Sequence, residues 1–252
     1  MVRKFTVPLV AILVFLGVWE ALVWINDWPN YVMASPSDLP AAYSKFWNLF
    51  LIMGWQTLWR TVVGLLLAIV FGVALGMVMG FSRTMRDALY PLLVGFNAIP
   101  KATVVPIVAL LFVGAHDMNT VLIAFMISFF PIAVSVSIGL STLEPEYRDI
   151  LRSLGASQAT IFWKIALPKT LPEFFGALKV AVTLAFIGTN LMEIVSPHGR
   201  GLGALFDSGK SNADYPLMFA VLIALAFLGI VLYYVVVALE KVFAGWAERQ
   251  PT

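Results

Sequence analysis

Six stretches of this chain are apolar for long enough to cross a lipid bilayer: Phe5–Ile25, Thr57–Gly80, Pro91–Gly114, Met118–Leu140, Phe174–Val195 and Pro216–Glu240. A hydrocarbon core takes about 20 such residues per spanning helix. No water is there to satisfy backbone N–H and C=O groups, so spans of this length are helices whose bonds close within each segment. Composition agrees: 12% of the 252 residues are charged and 61% are hydrophobic, against about 25% charged in soluble domains. The expected fold class is an all-α polytopic membrane protein of about six transmembrane helices. The first run follows Arg3 and Lys4, as in a signal peptide. It is longer than the roughly 7–15 residues of a signal core and no small-x-small site follows, so it reads as a retained helix. Pro100, Pro106 and Pro131 fall in the third and fourth spans, where neighbouring helices can satisfy the freed carbonyls.

Lysine and arginine in the loops set orientation. The N-terminus, loops 2–3 and 4–5 and the C-terminus carry Arg3, Lys4, Arg83, Arg86, Arg148, Arg152, Lys164, Lys169, Lys241 and Arg249; the other side carries Lys45, Arg200 and Lys210. This asymmetry places both termini in the cytoplasm of a multi-pass protein. The net charge of +2 gives no argument for nucleic acid, and the absence of cysteine excludes thiol chemistry.

The most polar internal segment, "RSLGASQATIFWKIALP" (Arg152 to Pro168), lies on that cytoplasmic side. Pro145 with Glu144 and Glu146 suits the start of a short helix over 146–154. Gly155 is the residue type that ends one with positive φ. Ser157 can cap a second helix, 158–166, on which Ile161, Phe162 and Ile165 share a face. Pro168 and Pro172 are expected to break the chain before the fifth span. Such an apolar ridge either lies on lipid headgroups or docks in a groove of a cytosolic partner.

Gly155, nine residues and then "IALP" resembles the signature loop of permease subunits of ATP-binding-cassette importers, matching at Gly155, Ala156, Ile165, Leu167 and Pro168. The family's preceding Glu-Ala-Ala is "DIL" here, Asp149 to Leu151, which keeps the acid. "WEALVW…ASPSDL", "NAIPKATVVPIVALLFVG", "FFPIAVSVSIGL" and "NLMEIV…GRGLGALF" extend the likeness over nearly the whole chain, most similar to the nitrate/sulfonate/taurine branch. The resemblance implies a type I importer core in the bacterial inner membrane, with 1–54 as first helix and outer segment, 55–246 as core and 247–252 as tail. It implies a coupling loop, 142–170, that inserts into an ATPase dimer holding ATP and Mg, with no cofactor on this chain. A soluble solute-binding protein on the other face and a second permease copy complete the expected partners, alongside membrane lipid. The coupling residues so implied are Asp149, Ser153, Gly155, Ala156, Ser157, Ile161, Phe162, Ile165, Leu167 and Pro168, with Ile161 and Phe162 supplying the buried contact.

Gly64, Ala68, Gly72, Gly76 and Gly80 recur every fourth residue on the second span, a spacing that lets helices approach closely within one subunit or between two. Charges in spans usually face an interior or a pathway. Lys101 either snorkels or lines the pathway, where it would suit an anionic solute; Asn97 and Asn190 join it as candidates. Glu193 reads as a rim residue at the outer gate or an interfacial acid, and Glu20 and Lys179 as anchors. "GALFDSGKS" departs from a phosphate loop in spacing and lacks the first glycine. His116 and His198 form no catalytic or metal spacing. The segment 37–53 is expected as an outer interfacial helix. A secondary transporter would instead call for midplane charges and inverted repeats, and a membrane scaffold would use the same cytoplasmic helices without transport.

Overall fold

The computed structural model describes residues 2–111, 114–141, 150, 153–155, 157–196 and 199–246, and among these every regular element is helical. In chain order they are α1 Val2–Ile25, a 3-10 turn Pro36–Asp38, α2 Leu39–Phe81, α3 Arg83–Ala98, α4 Lys101–Leu111, α5 His116–Ser141, α6 Gln158–Ile161, a π turn Phe162–Ala166, α7 Leu167–Val195, α8 Leu202–Ser211 and α9 Tyr215–Phe243. Four helical stretches are long and apolar enough to span a membrane: Pro36–Phe81, His116–Ser141, Phe162–Val195 and Tyr215–Phe243. The pair α3–α4, bent by 87° at its break, has the length and composition of a broken span or a re-entrant loop, and Val10–Ile25 is a shorter apolar helix.

Three expectations are corrected. The third span is not straight: Ile99 is extended (φ −65°, ψ 127°), because Pro100 crowds the α conformation of the residue before it. The segment 37–53 is not a single separate interfacial helix. Within α2, 43 residues long, the helix kinks at Phe46 (φ −114°, ψ 19°), so that 39–45 forms a short helix of its own and 47–53 continues into the second span. Pro168 and Pro172 do not break the chain. Pro168 falls in the first turn of α7, where its missing N–H costs least, and the widened turn before it hands the Leu167 N–H to Phe162 O.

α2 and α5 form the centre. Cβ atoms added at Gly72 and Gly76 would stand 2.9 Å from Ile132 Cβ and 2.7 Å from Val136 Cβ, and one at Gly80 2.8 Å from Leu140 Cβ. The stripe thus lies against α5 of the same chain, the close approach that small residues allow where lipid gives no hydrophobic drive. α7 packs on the other side of α5 through Leu178, Ala181, Val182 and Ala185, with Leu232 and Val236 of α9 closing the core. Buried hydroxyls turn to their own helices: Ser128 donates to Ala124 O at 2.7 Å and Thr170 to Ala166 O at 2.8 Å. Glu20, expected as an anchor, accepts from the Ser37 hydroxyl at 2.8 Å and ties α1 to the 3-10 turn. Lys179 does not merely anchor: its Nζ bonds both Glu240 carboxylate oxygens, at 3.0 and 2.9 Å, joining α7 to α9.

Two outcomes follow from this packing. In Gly76→Leu a side chain meets the Ala133 carbonyl and Val136; overpacking of this kind costs about 1–3 kcal/mol or more, so the yield of monodisperse protein in mild detergent should fall severalfold, and an unchanged yield would refute the close packing. Lys179→Met leaves the Glu240 carboxylate unpaired and should lower the melting temperature, whereas the double variant with Glu240→Gln should recover most of it, since an unpaired low-dielectric charge is worse than no charge. Equal melting of both variants would show that the pair is not coupled.

Candidate functional site

At one end of the bundle lies the 150–168 segment. Asp149 and Ala156 lie outside the described residues, as does most of the expected 146–154 helix. Gly155 has φ +82° and sits in an open turn, which only glycine adopts without strain. The Ser157 hydroxyl accepts the Thr160 N–H at 3.2 Å and so caps α6, while Ser153 is exposed and donates to Ile150 O at 2.7 Å. The apolar face expected on this segment exists, but it turns inward. Ile161 is 3% exposed. Phe162 and Ile165 pack on the core of their own chain, with the Phe162 ring 5.5 Å from that of Phe81 at the end of α2. Leu167 and Pro168 are half-buried as α7 begins. Among the described residues of the segment, the large apolar side chains left uncovered are Ile150, Leu154 and Trp163, the last 65% exposed.

Along the membrane-embedded length, α7 shows two faces. Leu178, Ala181, Val182, Ala185, Gly188, Thr189, Met192 and Glu193 are buried. The outward face carries Lys169, Glu173, Gly176, Val180, Thr183 and Ile187, steps of four and three that form a straight seam. On one flank of the seam a groove of about 450 Å³ is lined by Asn97, Phe130, Pro131, Ser135, Glu173 and Leu184. On the other flank, a groove of about 410 Å³ is lined by Gly176, Lys179, Thr183, Leu184 and Tyr233. Leu184 borders both and divides them. Among the described residues, Asn97, Ser135 and Glu173 make no side-chain hydrogen bond or ion pair. Open amide, hydroxyl and carboxylate groups at this depth have no partner in lipid, where an unsatisfied polar group is costly.

Two other pathway candidates sit elsewhere. Lys101 caps the C-terminus of α3, its Nζ donating to the carbonyls of Phe96 (3.0 Å), Asn97 (2.7 Å) and Ile99 (3.2 Å). The break at Pro100 exposes those carbonyls and the ammonium satisfies them. Asn190 is half-buried and donates to Phe186 O at 2.7 Å on its own helix.

Glu193 is neither a rim residue nor an interfacial acid. It is 1% exposed and faces Arg60, 2% exposed, with Nη1 to Oε1 at 3.1 Å. Arg60 Nε also donates to Asp117 at the start of α5, at 2.8 Å, and Nη1 donates to the Arg200 carbonyl. The Thr57 hydroxyl donates to Glu193 at 2.9 Å and accepts the Leu202 N–H at 2.8 Å; Gly203 N donates to Glu193 Oε2 at 3.0 Å. One guanidinium thereby joins α2, α5, α7 and the loop into α8. Removing one partner of a buried pair costs about 3–5 kcal/mol. Arg60, which lies within the second span, is a residue the sequence analysis missed; the signal was that an arginine and a glutamate in different spans each need a partner. Glu173, Ser135 and Thr183 were also missed, though the four-three spacing on α7 could have marked Glu173 and Thr183. The "GALFDSGKS" stretch forms most of α8, a ten-residue helix starting at Leu202.

Comparison with known proteins places this geometry. The chain is 30% identical over 244 residues to the formylaminopyrimidine transport permease protein ThiX of Halalkalibacterium halodurans, covering 96% of each. It is 25% identical over 257 residues to the taurine transport system permease protein TauC of Escherichia coli, covering 97% of this chain and 90% of that one. The fold resembles that of a chain in inward-facing structures of the MetNI methionine ABC transporter, with TM-score 0.63 at 19% identity over 75% of this chain and 93% of that chain. The taurine relative lies in the branch to which the sequence analysis pointed, and the apolar spans make this a multi-pass membrane protein. The model of binding-protein-dependent transport system inner membrane components matches residues 68–246, and the chain belongs to that family.

Proposed function

We propose that two copies of this chain face each other across their α7 seams and together enclose the pathway of an ATP-driven importer for a small solute. The observation that carries this reading is the groove of Asn97, Ser135 and Glu173, open polar groups turned out of the subunit at membrane depth. A second copy covers them and leaves a polar passage between the two bundles. With the basic end in the cytoplasm, Ile150, Leu154 and Trp163 form the apolar contact for a separate ATPase subunit that holds ATP and Mg. A soluble binding protein delivers the solute at the opposite end.

The packing of 157–168 supports a specific coupling route. Trp163 projects outward while its neighbour Phe162 packs its ring at a tilt against that of Phe81 and Ile161 is buried. A displacement imposed on Trp163 is therefore passed to α2 through the two phenyl rings and to α7 through the continuous π turn. Ile161 and Phe162 keep the role of coupling residues in this reading by transmitting force inward, and Trp163 takes the docking contact. Gly155, with its positive φ, sets the turn between Leu154 and the helix that carries Trp163.

Affinity purification of the tagged chain from native membranes in mild detergent tests this. An ATPase should co-purify, and Trp163→Ala should lower its recovery about tenfold, the loss expected for truncating an interface anchor. Phe162→Ala should instead lower the melting temperature of the chain. Recovery of the chain alone, still catalysing uptake in vesicles without ATP, would hand the case to a secondary transporter.

A further inference from the structure

The backbone from Gly199 to Gly203 is moulded onto the Arg60–Glu193 pair. Gly201 has φ +120°, and a Cβ there would enter the Glu193 carboxylate; a Cβ at Gly203 would stand 2.8 Å from Glu193 Cβ. Four contacts hold this strap from beneath: Arg60 to the Arg200 carbonyl, Met53 Sδ accepting the Gly201 N–H at 3.1 Å, Thr57 to Leu202 N and Glu193 to Gly203 N. None of them is needed for the α2–α5 glycine packing, which continues to Leu140 at the far end. What the strap and α8 turn outward is polar: Arg200, Ser208, Lys210, Ser211 and Asn212 are exposed, and Asp117, bonded to the same arginine, is 54% exposed. α8 itself is anchored by Leu202 and Leu205, both buried.

We infer that Arg60 is a positioning residue for docking: it holds the strap and the first turn of α8 in the pose that the soluble solute-delivering subunit meets. The inference rests on the importer reading and on the orientation from loop charges. Mixed-sign charges with small hydroxyl and amide side chains complement a polar protein surface, and a basic-only face would be expected for anionic lipid. Because Arg60 lies beneath the contact, its loss changes the shape offered to the partner without removing a side chain from the surface.

The test uses the assembled complex of this chain with its co-purifying ATPase in lipid nanodiscs. The co-purifying solute-binding protein, loaded with solute, is titrated and ATP hydrolysis is read. Thr57→Val should raise the half-saturating concentration about threefold with the maximal rate held within about twofold, and Arg60→Gln should raise it about tenfold while also lowering the yield of assembled complex, as expected when a positioned contact weakens. Hydrogen exchange at residues 199–203 should rise in both variants. Half-saturation within twofold of the parent in both variants, or a loss confined to the maximal rate, would overturn the inference. If Arg60→Gln fails to assemble, Thr57→Val, which removes one hydroxyl at constant shape, decides. A parent complex that no soluble partner stimulates would overturn the importer reading, and with it this inference.

Discussion

Arg60 and Glu193 bring opposite charges together inside a helical bundle built for lipid surroundings, and the rotation of the helices follows from their meeting. Neither charge can face hydrocarbon, so α2 and α7 must turn these residues toward each other. On α7 that choice sends Leu178, Ala181, Val182, Ala185 and Thr189 inward with Glu193. The Thr61 and Thr189 hydroxyls, 2.9 Å apart, repeat the contact one turn deeper. The opposite face, with Glu173, Gly176, Val180 and Thr183, is thereby turned out of the subunit. The pair at one end of α7 sets the direction of the polar seam along its whole length.

The same helix connects the two ends where partners are expected to act. Its N-terminus grows without a break from the π turn that carries Trp163, and its C-terminus holds the carboxylate that grips the strap. A rigid rod of this kind transmits displacement along its axis, while the 87° break between α3 and α4 and the non-helical Phe46 in α2 supply places where the structure can bend. The groove residue Asn97 sits beside that break, so bending there alters the groove. The two relatives, named for a formylaminopyrimidine and for taurine, show one scaffold serving unlike solutes.

Run length made the helices legible in the sequence, because a bilayer leaves few alternatives, and the "IALP" segment with Gly155 carried the family resemblance. The spacing of Gly72, Gly76 and Gly80 marked a close helix contact without naming its partner. Amphipathic spacing likewise showed that Ile161, Phe162 and Ile165 share a face; it did not say whether that face meets another protein or its own bundle, and the ring of Phe81 settles the packing. Proline rules were read too strongly at Pro168 and too weakly at Pro100. The first has a widened turn to absorb it, whereas the residue before the second has none. The Arg60–Glu193 contact spans 133 positions, beyond the reach of any local pattern. Only the cost of a lone charge in a span pointed to it.

Disulfide trapping on this naturally cysteine-free chain tests the central claim, that a second copy covers the α7 seam. Single cysteines would be placed at Gly176 and Thr183 on the seam, and at Val70 and Phe71 on the exposed face of α2, then oxidised in native membranes. Cross-linked dimers at Gly176→Cys and Thr183→Cys, with none at Val70→Cys or Phe71→Cys, are the result this account predicts. Cross-linking confined to the α2 positions, with the α7 cysteines remaining monomeric, would contradict it.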